Sequence, residues 1–139
     1  MFDDGAVVHV GHTRGKNLKF EWTFTHQGIA IRSEKGKIYV YSGAELAGVL
    51  MWLYCSFGQT PFPLANNLEL LEQGAEQNGF GLALYSVKRQ NAFVQAATYL
   101  ALVLESLGIF EHIKGSPIQW TLKIDSKKGF SSLLDRLKG

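Results

Sequence analysis

From Leu18 to His26 the chain alternates without a break, with Leu18, Phe20, Trp22, Phe24 and His26 set against Lys19, Glu21, Thr23 and Thr25. A period of two over this length puts one face of a strand on a core and the other in water. Antiparallel pairing is the usual mode for such a half-buried strand. Residues 6–12 form a shorter strand candidate ahead of it, and 13–16 have turn chemistry. Gly28 then marks a tight turn, Ile29 and Ile31 alternate with Ala30 and Arg32, and Glu34-Lys35-Gly36-Lys37 supplies another hairpin. Ile38-Tyr39-Val40-Tyr41 completes an antiparallel meander. With the β-branched residues of this fourth strand on the core, Tyr39 and Tyr41 face outward, on the side of Lys19 and Arg32.

Ser42-Gly43-Ala44-Glu45 matches a capping box, so a helix starts there. Its stripe is Leu46, Val49, Leu50, Leu53 and Phe57, while Met51, Trp52 and Tyr54 lie off the stripe and make the helix apolar nearly all round. Gly58 suits its stop. Residues 59–63, with Pro61 and Pro63, read as an extended connector. Asn66 or Asn67 caps a second, more polar helix running toward Gln77, weakened by Gly74. Residues 80–87 fit two patterns, because Phe80, Leu82 and Leu84 alternate like a strand while Leu82, Tyr85 and Arg89 continue a helix. From Ala92 the period is helical, with Phe93, Ala96, Ala97, Leu100, Val103, Leu104 and Leu107 recurring and Gly108 ending the run. Residues 109–113 and 118–124 make a hairpin. Phe130, Leu133, Leu134 and Leu137 define a short C-terminal amphipathic helix whose other side carries Lys127, Lys128, Arg136 and Lys138.

Strands, helices, strands and a last helix, in that order, give an α+β fold rather than an alternating βαβ one. The 139 residues are expected to form a single domain, 1–139. Its expected architecture is a twisted antiparallel sheet of five or six strands, the N-terminal meander plus the C-terminal hairpin. Two apolar helices, at 43–57 and 91–107, pack one face of it. Two such helices exceed what one sheet face covers, which predicts a homodimer.

The apolar stretches 46–57 and 93–104 fall short of the roughly 18–20 residues that a membrane core requires, so no membrane partner is expected. The start, Met1-Phe2-Asp3-Asp4-Gly5, lacks the basic and apolar segments of a secretory signal, and the expected compartment is the cytoplasm. A single cysteine, Cys55, excludes an internal disulfide framework.

The chain carries few patterns of catalytic chemistry. His9 and His12 are three apart on a strand and point to opposite faces, which does not suit a metal. Gly11-His12-Thr13-Arg14-Gly15-Lys16-Asn17 resembles a phosphate loop only superficially: it is one residue short, has Asn17 where Ser or Thr would hold magnesium, and leads into a strand. A hairpin turn accounts for its glycines. Cys55 on an apolar helix reads as a packing residue. Glu69, Glu72 and Glu76 coat a helix face, and no nucleophile elbow is present. No catalytic residue, metal or cofactor is implied.

Two binding surfaces can be drawn. The first is an apolar ligand pocket or interface between sheet and helices, lined by Phe20, Trp22, Phe24, Trp52 and Trp120, in a non-enzymatic binding protein. The second concerns charge. All fourteen lysines and arginines lie at or before Lys37 or at or after Lys88, leaving an acidic and apolar middle. On this reading the open sheet face binds single-stranded nucleic acid, with Tyr39 and Tyr41 stacking bases and Lys19, Arg32, Lys37 and Lys123 tracking phosphates. The strand order before the capped helix, with Lys35-Gly36-Lys37 opening the fourth strand, is loosely similar to single-strand-binding domains of the Whirly type over about a quarter of the chain. An enzyme whose site is assembled from distant residues is the third alternative.

Overall fold

The computed structural model describes residue 2 and residues 7–14, 16–26, 28–115 and 117–123. The expected C-terminal helix, with Lys127, Lys128, Arg136 and Lys138, lies outside the described residues, as does Ile124. Four strands form an antiparallel meander in the order β1-β2-β3-β4: β1 (His9–His12), β2 (Lys19–Phe24), β3 (Gly28–Arg32) and β4 (Ile38–Ser42). Helix α1 (Gly43–Phe57) leaves β4 through the expected box, with the Ser42 hydroxyl accepting from the Glu45 amide and the Glu45 carboxylate from the Ser42 amide.

After α1 the proline connector is more than a spacer. Phe62–Pro63 is a strand, β5, and it pairs with the C-terminal hairpin of β6 (Phe110–Ile113) and β7 (Gln119–Leu122) in the order β5-β7-β6. The fold is α+β as expected, but its strands divide into two sheets. Between β5 and β6 run α2 (Leu68–Glu72), α3 (Phe80–Val87), α4 (Asn91–Gln95) and α5 (Ala97–Ser106). Residues 80–87 are thus helical. Asn67 caps α2 by accepting from the Leu70 amide, but Gly74, at φ +71°, follows so closely that the helix stops well before Gln77. The expected helix from Ala92 is interrupted at Ala96. Just before that break the Tyr41 hydroxyl donates to the Phe93 carbonyl at 2.8 Å.

One cluster of buried side chains runs through both sheets. Against the meander, Phe93 meets Tyr39 and Tyr41, while Tyr99 meets Phe20 and Tyr39. Against the second sheet, Phe80 of α3 meets Phe110 and Trp120, and Phe62 meets Phe57, Phe110 and Trp120. Such offset and edge-on aromatic contacts add to simple area burial. On α1, Leu46, Val49, Leu50 and Leu53 are buried whereas Met51 and Cys55 are exposed. Cys55 is therefore not the packing residue expected, and its thiol lies 3.7 Å from the Met51 sulfur one turn earlier.

The third turn of the meander reverses one sequence expectation. Gly36 donates to the Ser33 carbonyl at 2.9 Å and Ser33 to the Lys37 carbonyl at 2.8 Å, closing a three-residue loop with Gly36 at φ +86°. This is a type I turn followed by a left-handed bulge residue. A loop of Glu34–Lys37 would set Ser33 opposite Ile38; the shorter loop sets Arg32 there. One step of register exchanges the faces of a strand. Tyr39 and Tyr41 consequently join Trp22, Ile29 and Ile31 on the helix-covered face, at 8 % and 1 % exposure, and Ile38 is left 46 % exposed.

Candidate functional site

The residues expected to line an apolar pocket are dispersed. Phe20, Trp22 and Phe24 sit in a row on the inner face of the meander, but Phe20 and Trp22 are buried and Phe24 is exposed at the far end. Trp120 belongs to the second aromatic group. Trp52 projects from α1, half-buried, and donates to the Asn78 side chain at 2.9 Å.

The expected stacking platform is not assembled either. Tyr39 and Tyr41 lie on the face opposite Lys19 and Arg32, so rings and cations that were to act together are separated by the sheet. Burial pushes the Tyr41 phenol far above its ordinary pKa, with Tyr39 and Glu45 adding to the effect, so it remains a neutral hydrogen-bond donor. Arg32 is held by Glu21, at 2.8 and 3.1 Å, and lies over the Phe2 ring. The Lys37 ammonium lies 5.6 Å from the Tyr39 ring centre, and Lys123 is exposed beyond β7.

What the fold does bring together is one end of the meander. In an antiparallel meander the first and third turns share an end. Here those turns carry Arg14, Lys16, Lys35 and Lys37, while Lys19 opens β2 and Arg32 closes β3 beside them. Six of the fourteen basic residues meet there. At the opposite end, with the Thr25–Gly28 turn and Ser42, the described meander residues carry no lysine or arginine, and Lys88 reaches in from the C-terminus of α3 to the Val40 carbonyl and Glu45.

The first turn is built tightly. Thr13 donates its amide to the Leu18 carbonyl at 2.9 Å, Leu18 returns its amide to the Thr13 hydroxyl at 2.8 Å, and Asn17 takes a left-handed φ of 53°. The Arg14 guanidinium then reaches α5 and meets both oxygens of Glu105, at 2.7 and 2.9 Å. Glu105 also accepts from the indole N–H of the fully buried Trp120. One carboxylate thus ties the first turn to α5 and to the second sheet. A bidentate pair fixes orientation as well as distance.

Two grooves open beside this anchor. The larger, about 380 Å³, is lined by Thr13, Arg14, Lys16, Leu18, Gln95, Thr98 and Tyr99. The smaller, about 210 Å³, is lined by Lys19, Phe20, Glu21, Arg32, Ser33, Glu34 and Gly36. The larger opens on the helix-covered side of the meander, by Leu18 and Tyr99, and the smaller on the opposite face, by Lys19, Glu21 and Arg32; the Tyr99 ring packs 5.0 Å from Phe20. Burial raises the Tyr99 phenol pKa, followed by Tyr39 and by Glu34 of the neighbouring turn, so its hydroxyl stays protonated at neutral pH. Glu21 and Glu105 are engaged by arginines, whereas Lys16, Lys19 and Lys35 have no anionic partner among the described residues. The grooves therefore offer uncommitted cations, hydroxyl donors and a half-exposed ring. Of the residues expected to bind nucleic acid, Lys19 and Arg32 line the smaller groove and Lys37 follows Gly36 at its rim.

Thr13, Arg14, Gln95, Thr98, Tyr99 and Glu105 were not singled out as site residues from the sequence. A signal existed for part of the set. Gln95, Thr98 and Glu105 fall on one stripe of an otherwise apolar helical pattern, at steps of three and seven. No protein-family model, curated protein or solved structure matches the chain.

Proposed function

We propose that this protein is a non-enzymatic binding module that takes an anionic ligand at the basic end of its meander. The observation that carries the reading is the 380 Å³ groove, where Arg14 is fixed by Glu105 while Lys16 beside it has no anionic partner among the described residues. A pre-positioned donor set reduces the ordering that binding must impose. The excess of cations also raises the local concentration of anions before contact. An apolar ligand draws less support, because Phe20, Trp22 and Trp120 are spent on packing.

The test is an amide-resolved NMR titration with inorganic tripolyphosphate at low salt. Saturable shifts are expected at Arg14, Lys16 and Lys19, with Thr98 and Tyr99 following, and Lys16→Glu should abolish them. Shifts scattered over the whole surface, or none, would refute the reading.

A further inference from the structure

We propose that the anionic ligand is single-stranded nucleic acid, running from the larger groove around the end of the sheet at residues 18–20 into the smaller one on the other face; this rests on the anion-binding reading above. The basic end is elongated rather than point-like. Cations recur along it, from Arg14 and Lys16 on the first turn through Lys19 and Arg32 on the strands to Lys35 and Lys37 on the third turn. Among the described residues Glu21, Glu34 and Glu105 stand against these six charges, a balance of +3, with Arg14 and Arg32 paired to Glu105 and Glu21. A single phosphate would use one groove and leave the other idle. A chain of phosphates uses both.

The ring supplies the second element. Tyr99 lines the larger groove and is backed by Phe20 and Tyr39, at 5.0 and 6.5 Å between ring centres, so its orientation is fixed from behind. A supported, half-exposed ring beside cations is the arrangement on which an unpaired base stacks while its phosphates are neutralised. The stacking residue comes from α5 and not from the sheet. Duplex fits poorly, since α5 is buried along Leu100, Ala101, Val103 and Leu104 and brings Thr98, Tyr99 and the acidic Glu105 to this end, with no basic helix to enter a major groove.

Fluorescence anisotropy with labelled oligothymidines of increasing length, at two salt concentrations, tests the proposal alongside the tripolyphosphate titration. Affinity should rise with length until both grooves are filled, with amide shifts at 14–19 and 33–37. Lys16→Gln with Lys19→Gln should lower the slope of log affinity against log salt by about 1.4, near 0.7 for each lost phosphate contact. Tyr99→Ala should weaken binding about tenfold while Tyr99→Phe stays near wild type, as stacking requires. Length-independent binding confined to 14–19, no tighter than tripolyphosphate, would overturn the nucleic-acid track and leave the anion groove standing. Absence of shifts at 14–19 with either probe would overturn both. The lysine variants alter exposed side chains, so their outcome is independent of any folding defect in Tyr99→Ala.

Discussion

Arg14 and Glu105 stand 91 positions apart in the chain, yet the guanidinium of one meets both carboxylate oxygens of the other. The pair is unequal: the Arg14 side chain is 41 % exposed and that of Glu105 only 16 %. Its inner partner also serves Trp120, so it holds the turn, the helix and the second sheet in one arrangement.

Removing the two partners should therefore cost different amounts. Glu105→Ala leaves the buried Trp120 N–H without its acceptor and should destabilise by about 2–3 kcal/mol. Arg14→Ala breaks a half-exposed pair and should cost about 1 kcal/mol or less. Urea unfolding followed by tryptophan fluorescence checks the ranking; equal costs would contradict it.

At Glu45, burial raises the carboxyl pKa, but the Ser42 amide, Lys88 and the Ser42 hydroxyl outweigh it and hold the group below its ordinary 4.5. Lys88 donates to Glu45 at 3.1 Å and to the Val40 carbonyl at 2.8 Å. Because the folded pKa is the lower one, this stabilisation is fully present above about pH 4.5 and is lost as pH falls through the folded value. Urea midpoints from pH 7 to 3 should fall less steeply for Glu45→Gln than for the wild type.

Tyr41→Phe removes the donor to the Phe93 carbonyl without changing the packed ring. A loss of about 1 kcal/mol is expected, as for one buried hydrogen bond. Alkaline absorbance titration should also show Tyr41 failing to ionise until the chain unfolds, in keeping with its raised pKa.

At Gly81 the backbone itself is the obstacle. A Cβ there would lie 2.1 Å from the Ala65 carbonyl oxygen, on a segment held against Gly81 by the hydrogen bond that the Gly81 amide donates to the Leu64 carbonyl. Gly81→Ala should destabilise by about 3 kcal/mol or more, against the usual gain of an alanine in a helix. Thermal unfolding distinguishes the two signs.

Cys55 should react with a thiol reagent in the native state at a rate near that of a free thiol, since the residue is exposed. Protection until unfolding would contradict the exposed placement.

Much of the fold could be read locally. The alternation of β2, the Ser42–Glu45 box and the helical period after Ala92 each involve neighbours within a few residues, and such short-range preferences are written in the chain. The lack of lysine and arginine between Lys37 and Lys88 is legible too: that stretch covers α1, β5, α2 and α3, much of whose surface is buried against the two sheets. Strand partners were less legible. Phe62–Pro63 has no pattern of its own, and only its pairing with Trp120 and Gln119 makes it a strand.

The face of β4 and the site were decided by tertiary structure. Ile38, Tyr39, Val40 and Tyr41 are apolar on both sides, so periodicity could not choose between them. One residue fewer in the loop after Ser33, together with the better burial of two tyrosine rings against Phe93 and Tyr99, made the choice. The basic turns were visible in the sequence as separate turns. That they share one end, and that Glu105 and Tyr99 of a distant helix meet them there, follows from strand order and packing, which no local pattern encodes.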